Sequence, residues 1–246
     1  MCTLTIAWQA FADTPVAVVA NRDEALDRPS KPPSVVEEDP GIVAPVDEEA
    51  GGTWLGYNEH GVLVALTNRW VDGDLAGDRS RGLLVREALR QPTAEDATRF
   101  VERELDEREY EGFNLVLADE NAALYVEWDG HRRIRNLDPG VHVVVNVGID
   151  GEFFEPPFDP DIGEQQADSA RRLLETLQPE PGETATNWLD RAADAIADHD
   201  FGVCVHEDRY GTRSSSLIAI GEQGTTYRFA DGPPCETPFR PVEGQV

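Results

Sequence analysis

The second residue of this chain is a cysteine, and an apolar run separates it from the charged sequence Asn21-Arg22-Asp23-Glu24. A thiol is a weak nucleophile until a base takes its proton. If Met1 is removed, which a small second residue favours, Cys2 carries both that thiol and a free α-amine able to act as the base. The ordinary pKa of an α-amine, about 7.7–8.0, leaves its unprotonated form accessible near neutrality. The run from Thr3 to Ala20 reads as two strands joined at Asp13-Thr14-Pro15, a hairpin that returns Arg22 and Asp23 to the neighbourhood of Cys2. The same residues also read as a small buried hydrophobe and a solvated, ion-paired turn.

Further polar residues end apolar strands. Asn68-Arg69 closes the run Val62–Thr67, Asn146 closes Val141–Val145, and Arg213-Ser214-Ser215-Ser216 opens a late strand. An asparagine amide donates two hydrogen bonds and can stabilise a developing oxyanion. An arginine holds carboxylates in a fixed fork and lowers the pKa of a nearby thiol. Taken singly, these residues equally fit turn formers and surface charges. In Cys204-Val205-His206, a strand would put Cys204 and His206 on one face, giving two soft ligands where a structural zinc site takes four. No metal is therefore expected, and Cys204 and His206 read as core and turn. His60, His131, His142 and His199 are scattered and read as surface or satisfied histidines. No phosphate-binding glycine loop occurs, so no cofactor is expected. Trp54 and Trp70 adjoin the polar motifs and read as pocket lining.

The elements that must position these residues follow from hydrophobic pattern. After the first hairpin, Arg28 to Pro33 reads as a proline-rich connection that cannot be helical. Short extended pieces follow, and then a hairpin whose second limb, Val62–Asn68, is apolar enough to be a central strand covered on both faces. Ser80–Arg90 and Thr93–Arg108 read as helices, the second with Thr93 and Asp96 as an N-cap pair and Ala97, Phe100, Val101 and Leu105 as its apolar stripe. Strands resume over Phe113–Ala118 and Ala123–Trp128, and another hairpin is predicted across Asp138-Pro139-Gly140 into Val141–Asn146. Helices Ile162–Leu177 and Thr186–His199 precede a final β section: Val203–His206, Ser214–Ile220 and Thr225–Phe229. The tail from Gly232 reads as irregular. Strand blocks alternating with helix pairs predict an α+β fold with largely antiparallel sheets, in one domain over residues 1–246. A two-sheet sandwich flanked by helices fits this count; a single sheet with one helical layer is the other arrangement.

The chain has 246 residues and a formal net charge of −27, with 48 acidic against 21 basic residues, of which only Lys31 is a lysine. The acidity is spread over periodic apolar sequence, which argues against disorder. Such a surface repels itself at low salt and suits the screened interior of a halophile. It is also a poor match for nucleic acid or an anionic membrane. Cys2, Cys204 and Cys235 are an odd, widely spaced set, as in a reduced intracellular protein. No signal peptide or apolar run of membrane-spanning length is present, so a cytoplasmic protein is expected.

Met1-Cys2, Asn21-Arg22-Asp23-Glu24, Gly51-Gly52-Thr53-Trp54-Leu55-Gly56, Thr67-Asn68-Arg69, Gly112-Phe113-Asn114-Leu115 and Tyr210-Gly211-Thr212-Arg213-Ser214-Ser215 occur in that order. Together they resemble the NRDE family, which includes the animal transport and Golgi organisation proteins. That family is in turn similar to N-terminal-nucleophile hydrolases of the choloylglycine hydrolase and penicillin V acylase type. The resemblance implies a four-layer αββα sandwich and an amidohydrolase acting on a small amide or related acyl bond. It implies Cys2 as nucleophile, Arg22 and Asp23 as the pair that orients it, Asn68 and Asn146 near the oxyanion, and Arg213 completing the cluster. The animal members imply an alternative: a carrier or chaperone for a hydrophobic ligand such as haem or an acyl-coenzyme A.

Overall fold

A computed structural model of the chain describes residues 2–71, 75, 77–156 and 158–246. Met1, whose removal the nucleophile reading requires, lies outside the described residues. In chain order the elements begin with β1 (Thr3–Phe11), β2 (Thr14–Ala25), β3 (Ser30–Glu38), β4 (Gly41–Asp47), β5 (Leu55–Asn58) and β6 (Leu63–Asn68). Helices α1 (Arg81–Ala88) and α2 (Ala94–Glu107) follow, then β7 (Phe113–Ala118), β8 (Ala123–Trp128), β9 (Arg132–Asn136) and β10 (Gly140–Val145). After the short β11 (Gly148–Ile149) and β12 (Glu152–Phe153) come α3 (Pro160–Thr176) and α4 (Ala185–Ala197). The chain ends with β13 (Tyr210–Gly221), β14 (Gly224–Ala230) and β15 (Arg240–Pro241).

These elements form two compact units. The first contains the chain up to Arg28 and Pro139–Val242. Its antiparallel sheet runs β12-β11-β10-β1-β2-β13-β14-β15. Helix α3 packs on β10, and α4 on β2 and β13. The helices bury one stripe each: Ala167, Ala170 and Leu173 on α3, and Trp188, Leu189, Ala192 and Ile196 on α4. This i, i+3/i+4 spacing is what an amphipathic helix needs to cover a sheet. The second unit, Pro29–Asp138 with Glu243–Val246, has the sheet β3-β4-β5-β6-β7-β8-β9. Helices α1 and α2 pack on β6, β7 and β8. Its core includes Val64, Leu84, Leu89, Val101, Phe113 and Leu115.

Helices α1, α2, α3 and α4 start where side-chain chemistry allows. Ser80, Thr93, Asp159 and Thr184 each accept from a backbone N–H in the first turn, satisfying a donor that the helix leaves open. Strand β6 occupies the centre of its sheet, as its apolar run predicts.

Three expectations are corrected. No hairpin forms across Asp138-Pro139-Gly140: β9 pairs with β8, whereas β10 pairs with β1. The second unit ends at Asp138 and the first resumes at Pro139, because β9 pairs with its sequence neighbour β8 while the distant β1 claims β10. From Ser30 on, the proline-rich stretch is not a connection but part of β3, an edge strand with a register shift between Lys31 and Ser34. An edge with a bulge is where a strand tolerates Pro32 and Pro33, which cannot donate to a ladder. Val203–His206 is not a strand either; its ladder contact is an isolated bridge between His206 and Gly211.

The glycine motif of the second unit has a packing role. A Cβ on Gly52 would lie 2.2 Å from the carbonyl carbon of Gly82. Thr53 N–H donates to the Gly82 carbonyl at 3.0 Å. Gly52 thus lets the start of α1 touch the chain just before β5.

Candidate active site

Strand register assembles a row of polar residues in the first unit. On β1, Thr3 pairs with Asn21 and Leu4 with Val144. One further step along both ladders sets Cys2 opposite Arg22 on β2 and opposite Asn146 just beyond β10. Strand β13 carries the row on, with Ser214 paired to Arg22 and Thr212 to Asp23. Arg213 is the extra residue of a bulge between them, the irregularity by which a strand re-aims a side chain. Residues far apart in sequence become cross-strand neighbours, whose side chains share a face.

The contacts agree with this register. The backbone nitrogen of Cys2 donates to Asn146 Oδ1 at 3.2 Å. That nitrogen becomes the α-amine if Met1 is removed. The Cys2 thiol approaches the Asp23 carbonyl oxygen at 3.5 Å. Enclosure of the thiol, and after it the negative charge of Asp23, push the Cys2 pKa above its ordinary value; Arg22 pulls the other way. Arg22 is 6% exposed and lies 3.8 Å from Glu24.

Asp23 is held from β13. Thr212 Oγ1 donates to Asp23 Oδ1 at 2.5 Å, and Tyr210 donates its hydroxyl to the Asp23 carbonyl at 3.1 Å. Burial raises the Asp23 pKa, and the Thr212 hydrogen bond opposes that rise. Asn21, two residues earlier on the same face, has a packing role. Its Nδ2 donates to the carbonyls of Ile196 and Val203 at 3.1 and 2.8 Å, and Ser215 Oγ donates to its Oδ1 at 2.6 Å. Three residues of the Tyr210–Ser215 motif therefore grip the Asn21–Glu24 motif because their strands pair.

Of the six predicted site residues, Cys2, Arg22, Asp23, Asn146 and Arg213 belong to this unit. Arg213 donates to the Arg28 carbonyl at 3.5 Å, and its buried Nε has no protein acceptor among the described residues. Asn68 belongs to the second unit, at the end of β6 opposite Phe113. There Asn114 donates to Thr67 and accepts from Tyr125, while Arg69 forms an ion pair with Glu127 at 3.0 Å. A pocket of about 370 Å³ in the first unit is walled by Phe153, Phe154, Pro160, Ala167 and Arg171 among others, and by none of the six.

Sequence reasoning missed Thr212 and Tyr210, although both lie in a motif it singled out; only the β2–β13 pairing shows what they hold. It also counted only Cys204 and His206 as soft ligands. The structure adds His199 and Cys235 beside them. Nothing in the sequence ties a lone cysteine in a proline-rich tail to these residues.

Solved structures share this architecture. Penicillin V acylase from Agrobacterium tumefaciens superposes with a TM-score of 0.54 at 16% identity, over 94% of this chain and 83% of its own. The Caenorhabditis elegans ortholog of N-acylethanolamine-hydrolyzing acid amidase gives 0.58 at 13% identity, over 88% and 92%. A single-residue variant of the conjugated bile acid hydrolase from Clostridium perfringens gives 0.53 at 10% identity, over 100% and 98%. At these identities the likeness is one of fold, and the fold is that of the N-terminal-nucleophile hydrolases. Within it, the family model for Transport and Golgi organisation 2 matches residues 1–231, and the chain belongs to that family. Its relatives include the Transport and Golgi organization 2 homolog of Mus musculus, 27% identical over 84% of this chain and 82% of the mouse protein. The Homo sapiens homolog is 28% identical over the same shares. Among the described residues no helix is long and apolar enough to cross a membrane.

Proposed function

We propose that the chain is an N-terminal-nucleophile amidohydrolase that cleaves a small amide or related acyl bond with Cys2. The observation that carries this reading is the seat of Cys2: its nitrogen on Asn146 Oδ1 and its sulfur against the Asp23 carbonyl. After loss of Met1, the α-amine takes the thiol proton as sulfur attacks the substrate carbonyl. With its Oδ1 turned to the Cys2 nitrogen, Asn146 has Nδ2 as its donating edge, the group a tetrahedral oxyanion needs. Collapse of the tetrahedral adduct breaks the carbon–nitrogen bond, and the ammonium returns its proton to the departing amine. Water then attacks the thioester, giving up one proton to the sulfur and leaving the carboxylic acid. Arg22 favours the thiolate, Asp23 orients the amine, and Arg213 lends positive charge to the row. The fold neighbours, a penicillin V acylase, an N-acylethanolamine-hydrolyzing acid amidase and a conjugated bile acid hydrolase, support this substrate class; the acidic composition disfavours nucleic acid.

The test combines intact mass with turnover. Protein lacking Met1 is expected to hydrolyse members of an acyl-amide panel and to accumulate an acyl adduct on Cys2, with Cys2→Ala abolishing both. Full turnover by Cys2→Ala overturns the reading. So does processed wild-type protein that binds haem or an acyl-coenzyme A stoichiometrically without consuming any amide; the carrier reading then takes its place.

A further inference from the structure

Four ligand-type side chains outside the Cys2 row converge in the first unit. His199 opens a 3₁₀ turn after α4. Cys204 and His206 flank Val205 before β13, and Cys235 lies in the tail after β14. One donor atom from each falls within 4.8 Å of every other. Cys204 Sγ lies 3.5 Å from His206 Nε2 and 3.5 Å from Cys235 Sγ, and His206 Nε2 lies 3.1 Å from Cys235 Sγ. The His199 and His206 rings stack with centroids 5.1 Å apart.

We propose that His199, Cys204, His206 and Cys235 bind a zinc-class divalent cation as a tetrahedral two-cysteine, two-histidine site. The distances carry the argument. With bonds of about 2.3 Å to sulfur and about 2.0–2.1 Å to nitrogen, a tetrahedron has edges of about 3.8 Å between sulfurs and about 3.5 Å between sulfur and nitrogen. The three edges among Cys204, His206 and Cys235 already stand near those lengths. Any longer separation involves His199, whose side chain is exposed and needs to move by roughly 1 Å to close the tetrahedron. Two thiolates and two imidazoles suit zinc, and four protein donors make a closed, structural site. Binding releases the two thiol protons and leaves the centre without net charge. A disulfide between Cys204 and Cys235 would not require two imidazoles gathered on the same point.

The site would clamp both neighbours of Val205. Val205 N–H donates to Thr212 Oγ1 at 2.9 Å, and Thr212 N–H returns to the Val205 carbonyl at 2.9 Å. The same Thr212 hydroxyl holds Asp23. The cation therefore fixes three irregular segments and the residue that aims Thr212. Its existence does not depend on any chemistry at Cys2.

The experiment uses the full chain purified with reductant. Because 48 acidic residues bind zinc weakly and unspecifically, elemental analysis follows a wash with a mild chelator. Metal-free protein is also titrated with cobalt(II), whose thiolate charge-transfer band reports sulfur ligation alone. The expected result is one zinc per chain, a tetrahedral cobalt spectrum with that band, and loss of stoichiometric metal in Cys235→Ser and in His206→Ala. Both variants change exposed residues, and circular dichroism checks that they remain folded. Folded wild type that retains no zinc and gives no charge-transfer band overturns the proposal. Recovery of a Cys204–Cys235 disulfide in place of bound metal also overturns it, as does a band unchanged by Cys235→Ser.

Discussion

Asn21→Ala separates a packing role from a chemical one within the charged motif. Asn21 is 2% exposed and makes three hydrogen bonds, to Ile196, Val203 and Ser215. Each is worth about 1 kcal/mol net, so their loss removes about 3 kcal/mol. The small cavity adds about 1 kcal/mol. The sum of about 4 kcal/mol corresponds to a Tm lower by roughly 8–16 °C in a chain of this size. Guanidinium denaturation followed by tryptophan fluorescence measures it; Trp188, fully buried on α4, reports on the contact that Asn21 secures. Ser215→Ala shares one of the three bonds, so the double variant is expected to fall short of additivity by about 1 kcal/mol. A loss below about 1 kcal/mol for Asn21→Ala, or strict additivity with Ser215→Ala, refutes the assignment.

Two further outcomes follow from the same structure. Gly52→Ala would drive a Cβ into the backbone of Gly82 and Leu83, so a loss of about 3 kcal/mol or more is expected. Gly51→Ala meets nothing within 4 Å but has φ +70°, costing only about 1–2 kcal/mol through strain; thermal melts of the pair check the order. For Cys2, burial and Asp23 both favour the neutral thiol. The thiolate fraction at neutral pH is therefore smaller than for a free cysteine, and alkylation by iodoacetamide should accelerate only at more alkaline pH than for a free thiol. Mass spectrometry of the N-terminal peptide across pH follows this, and alkylation at neutral pH faster than that of free cysteine contradicts it.

Local physics made much of the chain legible. Ser80 and Thr93 mark helix starts because a cap needs only a hydroxyl and the next few N–H groups. The β1–β2 hairpin follows from alternating apolar residues around Asp13, which places Arg22 and Asp23 beside Cys2. Pairing between distant strands was not legible. Val141–Val145 has the same pattern whether it joins β9 or β1, because a strand's own residues specify a buried face and not the neighbour that covers it. Only the tertiary structure set Asn146 against the Cys2 nitrogen and paired Thr212 and Ser215 with Asp23 and Asn21. It alone gathered His199 and Cys235 around Cys204 and His206. The sequence by itself determined which elements form and which residue types are available for chemistry. Which of those residues meet was decided by long-range register and by loops that close only when the sheet and its helices pack.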